Sequence, residues 1–226
     1  RHLTRRRRRT EGPEEAIMWK WLGGKTRKAT VPSDVDRARA AVGAFLEGRG
    51  EAAVALERLQ ESVVRVWREA DGYPARPIRA DVWIDGAACA TMGHALTRRL
   101  RADGALEDET AASALWAQAT LAVCSHYRHL VGPAMVAHAD CHERRGDPER
   151  AADLYRAVVR DFADLADGGE GGGAGDEDGG AGDEDGRTAR EALATAVDRL
   201  RALGVPTVDD IDLAELAARA ARALGR

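Results

Sequence analysis

The sequence predicts an all-α protein of stacked antiparallel helical pairs, about eight helices in all. Alanine makes up about a fifth of the 226 residues and aromatics only 4%. A chain rich in Ala and Arg and poor in β-branched residues favours helix. Apolar residues recur at three- and four-residue intervals through most segments, the period of a helix face. Short Gly- and Pro-containing breaks separate these segments, so neighbouring helices turn back on one another. With 44% hydrophobic and 32% charged residues, wholesale disorder is excluded.

Pro32-Ser33-Asp34 is a helix start, with Ser33 or Asp34 as cap. Val35, Ala38, Val42, Phe45 and Leu46 follow at helical spacing, and Gly48-Arg49-Gly50 ends that helix. A second helix covers residues 51–69, and the Pro- and Gly-containing stretch 71–77 is a loop. Asp81-Val-Trp-Ile-Asp85 alternates, and is expected as an extended lead into a third helix capped by Asp85 and covering residues 86–101. A fourth helix over 108–130 is expected to stop at Gly132-Pro133, before a fifth over 134–145. Gly146-Asp147-Pro148 turns the chain into a sixth, residues 148–166, with Pro148 in the first turn, where its missing N–H is not needed. Two more helices, residues 188–203 and 209–224, complete the set.

Four segments follow from composition. Residues 1–30 are basic, net +7, and residues 1–17, before Met18-Trp-Lys-Trp21, read as upstream sequence. Residues 31–167 are the helical-pair domain. Residues 168–186 hold ten glycines and, with Asp164 and Asp167, nine acids and no base over 164–186. Such a stretch buries too little apolar surface to order itself, and is expected as a linker tethering a C-terminal helical pair, residues 187–226.

Two pairs share one spacing. Ala139 lies seven residues before Gly146, with Ala151 five and Tyr155 nine after it. Gly43, Gly50, Ala55 and Leu59 repeat those intervals. A small residue on each helix lets two antiparallel helices cross closely, and a larger one fills the next gap. The pattern resembles the tetratricopeptide repeat. It departs from it in having His138 and His142 where that family has Leu and Tyr, and in lacking a proline after Phe162. The resemblance implies a right-handed α-superhelix whose concave face binds a protein or peptide. On that face Arg37, Arg39, Asp140, His142 and Arg144 are the expected partner-binding residues, their mixed charge selecting the partner.

The strongest chemical alternative is the cluster Cys124, His126, His138, Cys141 and His142. His138 and His142 share a helix face, Cys141 is three residues from His138, and a hairpin at Gly132 would bring His126 near. These are zinc-type ligands without a paired Cys-x-x-Cys or a His-Glu-x-x-His. Leu22-Gly-Gly-Lys25-Thr26 imitates the tail of a phosphate-binding loop, but Trp19 occupies the place of its first glycine. Trp19 and Trp21 beside Lys20, Lys25 and Lys28 are more simply read as packing on the helical body or as part of a disordered basic terminus over residues 1–30 than as a membrane anchor. The near-neutral body is unlike a dedicated nucleic-acid binder, and no apolar run is long enough to span a bilayer. Three cysteines and the lack of a secretory apolar stretch fit the cytoplasm. The expectation is a non-enzymatic interaction scaffold that needs no cofactor.

Overall fold

The computed structural model describes residues 32–70, 78–123, 128–167 and 181–225. Among them are eight α-helices, one short 3-10 segment and two strands of two residues each, so the all-α class holds. The basic stretch with Trp19 and Trp21, most of the acidic segment, Cys124 and His126 lie outside the described residues.

Helix α1 (Asp34–Leu46) begins as its sequence dictates: the Ser33 hydroxyl accepts from the Asp36 amide at 3.1 Å, and the Ser33 amide donates back to the Asp36 carboxylate at 3.2 Å. Helix α2 (Ala52–Ala70) buries Ala55, Leu59, Val63 and Val66 in one stripe. Between them the left-handed turn is made by Gly48 at φ +76°, not by Gly50. Gly50 serves close approach instead, since a Cβ there would lie 3.1 Å from the Phe45 amide nitrogen.

Helix α3 spans Ala80–Asp103, so the expected extended lead is helical and Asp85 is an interior residue rather than a cap. The alternation of Val82 and Ile84 was ambiguous over so few residues. In the helix Val82 is buried, and Ile84 projects outward at 47% exposure. The buried seam Val82, Gly86, Cys89, Gly93, Leu96 and Leu100 alternates four- and three-residue steps. It packs on α4 (Leu106–Val123) in the most extensive helix–helix contact of the described residues. Two glycines make that closeness possible. A Cβ at Gly93 would meet the Trp116 backbone at 2.8 Å, and one at Gly86 would meet Val123 at 2.4 Å. The indole of Trp116 in turn stacks on His94 with ring centroids 4.5 Å apart.

Helix α4 also packs on α2 and on α5, and so is buried nearly all round. The Trp67 indole N–H fastens α2 to it, donating to the Gln118 carbonyl at 2.9 Å. Helix α5 (Arg128–Arg144) runs through Pro133, contrary to the expected stop at Gly132-Pro133. Pro133 removes one N–H near the helix start. Gly132 is a contact point, where a Cβ would lie 3.0 Å from the Ala192 Cβ.

Gly146 at φ +79° and Asp147, whose carboxylate accepts from the Arg150 amide at 3.1 Å, lead into α6 (Pro148–Phe162) as expected. Ala139, Ala151 and Tyr155 are fully buried at the α5–α6 contact. A 3-10 turn (Ala163–Asp167) follows, then α7 (Ala181–Ala202), the hairpin β1 (Thr207–Val208) and β2 (Ile211–Asp212), and α8 (Leu213–Ala223).

The expected tethered C-terminal pair is corrected in two ways. Helix α7 begins within the segment read as linker, at Ala181. Leu193, Val197, Leu200, Leu213 and Leu216 then share one apolar core with Met135, Tyr155, Val158 and Phe162. The chain from Ser33 onward is one compact unit. Burial of those five leucine and valine side chains against α5 and α6, worth about 1.5–3 kcal/mol each, is ample to dock the pair.

The expected small-residue crossing at Gly43 is corrected as well, because nothing lies within 4 Å of a Cβ placed there. This separates the two kinds of helical glycine experimentally. Gly93→Ala should destabilise the protein by about 1–3 kcal/mol through overpacking. Gly43→Ala should stabilise it by up to about 1 kcal/mol, by replacing an interior helix glycine where space allows. Urea unfolding of the two variants checks this, and equal midpoints would mean that Gly93 does not set the α3–α4 separation.

Candidate functional site

Two guanidiniums near helix ends meet Glu109. Gly104, at φ +73°, turns α3 back into α4 and thereby brings the last turn of α3 against the first turn of α4. Of the three acids there, Glu107 is exposed, whereas the Glu109 side chain is 1% exposed. Arg101 donates Nε to Glu109 Oε1 at 2.7 Å, and Arg144 at the end of α5 donates Nη2 to the same oxygen. Asp140 Oδ2 accepts from both guanidiniums, at 2.6 Å from Arg101 Nη2 and 3.2 Å from Arg144 Nε. The four side chains form a closed ring of alternating charge that ties α3, α4 and α5 together.

Burial alone pushes the Glu109 carboxyl up, but the bonds from Arg144 and Arg101 outweigh it and hold it below the usual range. The Arg144 guanidinium is held more firmly charged, chiefly by its bond to Glu109. Cys141 sits against the ring with Sγ 3.4 Å from Glu109 Oε1, and burial raises its thiol. It is a fastened thiol, not an activated one.

Next to the ring, the Ser113 hydroxyl donates to the Thr110 carbonyl at 2.8 Å and lies 3.0 Å from His138 Nδ1. The same hydroxyl lies 3.6 Å from Cys141 Sγ. His138 is driven down to about 4, first by burial and then by His142 and Arg150. The His142 ring meets it edge-on at 4.8 Å, and His142 Nδ1 lies 3.3 Å from the Asp147 carboxylate at the α5–α6 turn.

The residues expected to bind a partner are thus divided. Arg37 and Arg39 pair along α1 with Asp34 and Asp36. Asp140 and Arg144 belong to the ring, and His142 braces a turn. The Arg144 side chain is 39% exposed, and its guanidinium is engaged by both Glu109 and Asp140. Of the expected metal set, His138 faces Ser113, Cys141 faces Glu109 and His142 faces Asp147. Among the described residues no three His, Cys, Asp or Glu side chains are arranged to hold a metal ion.

Beside the ring lies an open groove of about 420 Å³ between α5 and α7, within the range typical of ligand sites. The helices approach closely at Gly132 and Ala192. Pro133, Val136, Ala137 and Asp140 line the α5 side, and Thr188, Glu191, Thr195 and Arg199 the α7 side. Tyr155 of α6 lies between them, its hydroxyl donating to Glu143 Oε2 at 3.3 Å, and Arg199 reaches Glu143 Oε1 at 3.5 Å. Arg101 flanks the same groove. Sequence reasoning found Asp140 and Tyr155 but missed Arg101, Glu109 and the α7 face. The available signal was modest: Glu109 shares a helix side with Ser113, Ala117 and Thr120, all buried.

Compared with known proteins, the chain matches no family model, no curated protein and no solved structure.

The ring makes stability depend on Arg144. Arg144→Met should cost about 3 kcal/mol, since Glu109 stays buried with one cation fewer. The same change in a Glu109→Gln background should cost about 1–3 kcal/mol less, because the buried charge is gone. Denaturant melts of the double-mutant cycle check this, and additive costs would break the ring assignment.

His138 makes stability depend on pH. Its folded value lies below the unfolded one of about 6.5, so the unfolded chain binds more protons between the two. The contribution is full above about 6.5, declines as pH falls, and levels off near 4. His138→Gln should flatten that part of the stability–pH profile relative to the parent, and an unaltered slope would show that His138 does not carry it.

Proposed function

We propose that this protein is an interaction scaffold built from tetratricopeptide-like helical pairs, and that the α5–α7 groove receives a segment of a protein partner. One observation carries the reading. The groove is lined chiefly by first helices of successive pairs, with Arg101 from α3, one wall from α5 and the other from α7. The expected concave face of such a stack is made of those same helices. The α5–α6 pair supports the resemblance most closely, with Ala139, Ala151 and Tyr155 buried at its contact and Gly146 left-handed at its turn. The groove presents one apolar wall and one polar wall, which suits recognition of a peptide. We place the protein in a reducing compartment, the cytoplasm, on the basis of Cys89 and Cys141, which are free and buried.

Ala137→Trp fills the groove from a partly buried position of α5 without touching the ring. Affinity capture from the source cells with the full chain should recover a protein partner, and Ala137→Trp should abolish that capture while leaving the melting temperature within a few degrees. A partner recovered equally by both proteins would move binding away from this groove.

A further inference from the structure

The charged residues at the groove fall into two groups. Asp140 and Arg101 belong to the ring around Glu109: recruiting Arg101 would take a cation from the buried carboxylate, and recruiting Asp140 would take the shared acceptor from both guanidiniums. Glu191 and Arg199 are different. Their side chains are 44% and 48% exposed; Glu191 pairs with the exposed Arg187 at 3.1 Å, and Arg199 reaches the half-buried Glu143 only at 3.5 Å. Exposed pairs of this kind contribute little, roughly 0–1 kcal/mol, and exchange readily for an incoming charge. The groove therefore offers one available carboxylate and one available guanidinium, both on the same wall.

Their separation sets a register. Glu191 and Arg199 are eight residues apart on one helix, about 12 Å along its axis. An extended chain advances about 3.3 Å per residue, so four residues cover about 13 Å. Residues four apart in an extended chain also point to the same side, and the intervening odd positions to the other. That other side faces Pro133, Val136 and Ala137, an apolar wall. The central residue, on the same side as the charges, meets the Thr195 hydroxyl. This hydroxyl already donates to the Glu191 carbonyl at 2.8 Å and so is left to accept.

Resting on the scaffold reading above, we propose that the groove recognises an extended partner segment bearing a basic and an acidic side chain four residues apart, with apolar residues between them at the first and third intervening positions. The basic side chain pairs with Glu191 and the acidic one with Arg199. The apolar residues lie on Val136 and Ala137.

The test uses the full chain and fluorescein-labelled peptides read by anisotropy. The core Lys-Val-Ser-Val-Glu should bind, and Lys-Val-Ser-Glu, with its charges three apart, should bind roughly tenfold more weakly, as should the parent core in raised salt. Glu191→Lys should weaken the parent core by a similar factor and make Glu-Val-Ser-Val-Glu the better ligand, an inversion that mere loss of structure cannot produce. Arg199→Glu should shift preference to a doubly basic core in the same way. Equal affinity for both spacings, uniform weakening by Glu191→Lys, or no binding of the parent core would each overturn the register. If capture of a protein partner then still depended on Ala137, only the register would fall. If Ala137→Trp changed neither capture nor peptide binding, the scaffold reading of the groove would fall with it.

Discussion

The ring of Arg101, Glu109, Asp140 and Arg144 is the constraint on which the middle of the structure depends. A carboxylate taken out of water is tolerable only with its charge matched. Glu109 obtains this at Oε1, from the last turn of α3 and the last turn of α5 at once, while its Oε2 is buried without a hydrogen-bond partner. A helix sliding or rotating by one residue in either contact would separate a guanidinium from the buried oxygen. An apolar set of similar volume could match the ring in stability. The ionic ring adds registry, fixing where α5 lies on the α3–α4 pair. The second Arg144 contact, to Asp140, and the histidines behind it extend the same control to the α5–α6 turn.

Around this joint, small residues set how close the helices come. Gly86 and Gly93 bring α3 and α4 nearly into backbone contact, and that closeness encloses α4 so thoroughly that one of its first-turn acids has no route to solvent. The ring is thus a consequence of the glycine seam as well as a lock upon it. On the other side of α5, Gly132 allows close approach of α7, since a Cβ there would lie 3.0 Å from the Ala192 Cβ. The groove lies beside this contact, lined by both helices. Tyr155, fully buried and bonded through its hydroxyl to Glu143, keeps that space from collapsing.

The same geometry sorts charges by use. Those on α5 facing α3 and α4 are tied to buried Glu109 or its cations, and those on α7 facing the groove are held in looser pairs. A surface chosen by charge alone would favour Asp140 and Arg144, because both look like solvated helix residues in the sequence. Their burial partner, Glu109, lies more than thirty residues away, and nothing local to α5 announces it. On the proposed reading, recognition falls to the neighbouring helix, where Glu191 and Arg199 are more exposed and loosely paired.

What the sequence by itself determined is whatever local chemistry decides. The all-α class, the Ser33 and Asp147 caps, the left-handed Gly146 and the buried stripe of Ala55 and Leu59 all follow from propensity, capping and periodicity within a few residues. Tertiary structure decided the rest, and the physical reason is the same in each case. Asp81–Asp85 alternates too briefly to distinguish strand from helix, and packing of Val82 on the core resolved it as helix. Gly132-Pro133 reads as a break, yet contact with α7 gives that glycine a place inside α5. A segment of acids and glycines suggested a tether, but the leucines beyond it had apolar surface that only α5 and α6 could cover. Glu109 is one of three consecutive acids, and its distinction from Glu107 arises only when two other helices close over it. Burial is a property of neighbours distant in the chain, so the ring, the groove and the free charges exist only once those neighbours are in place.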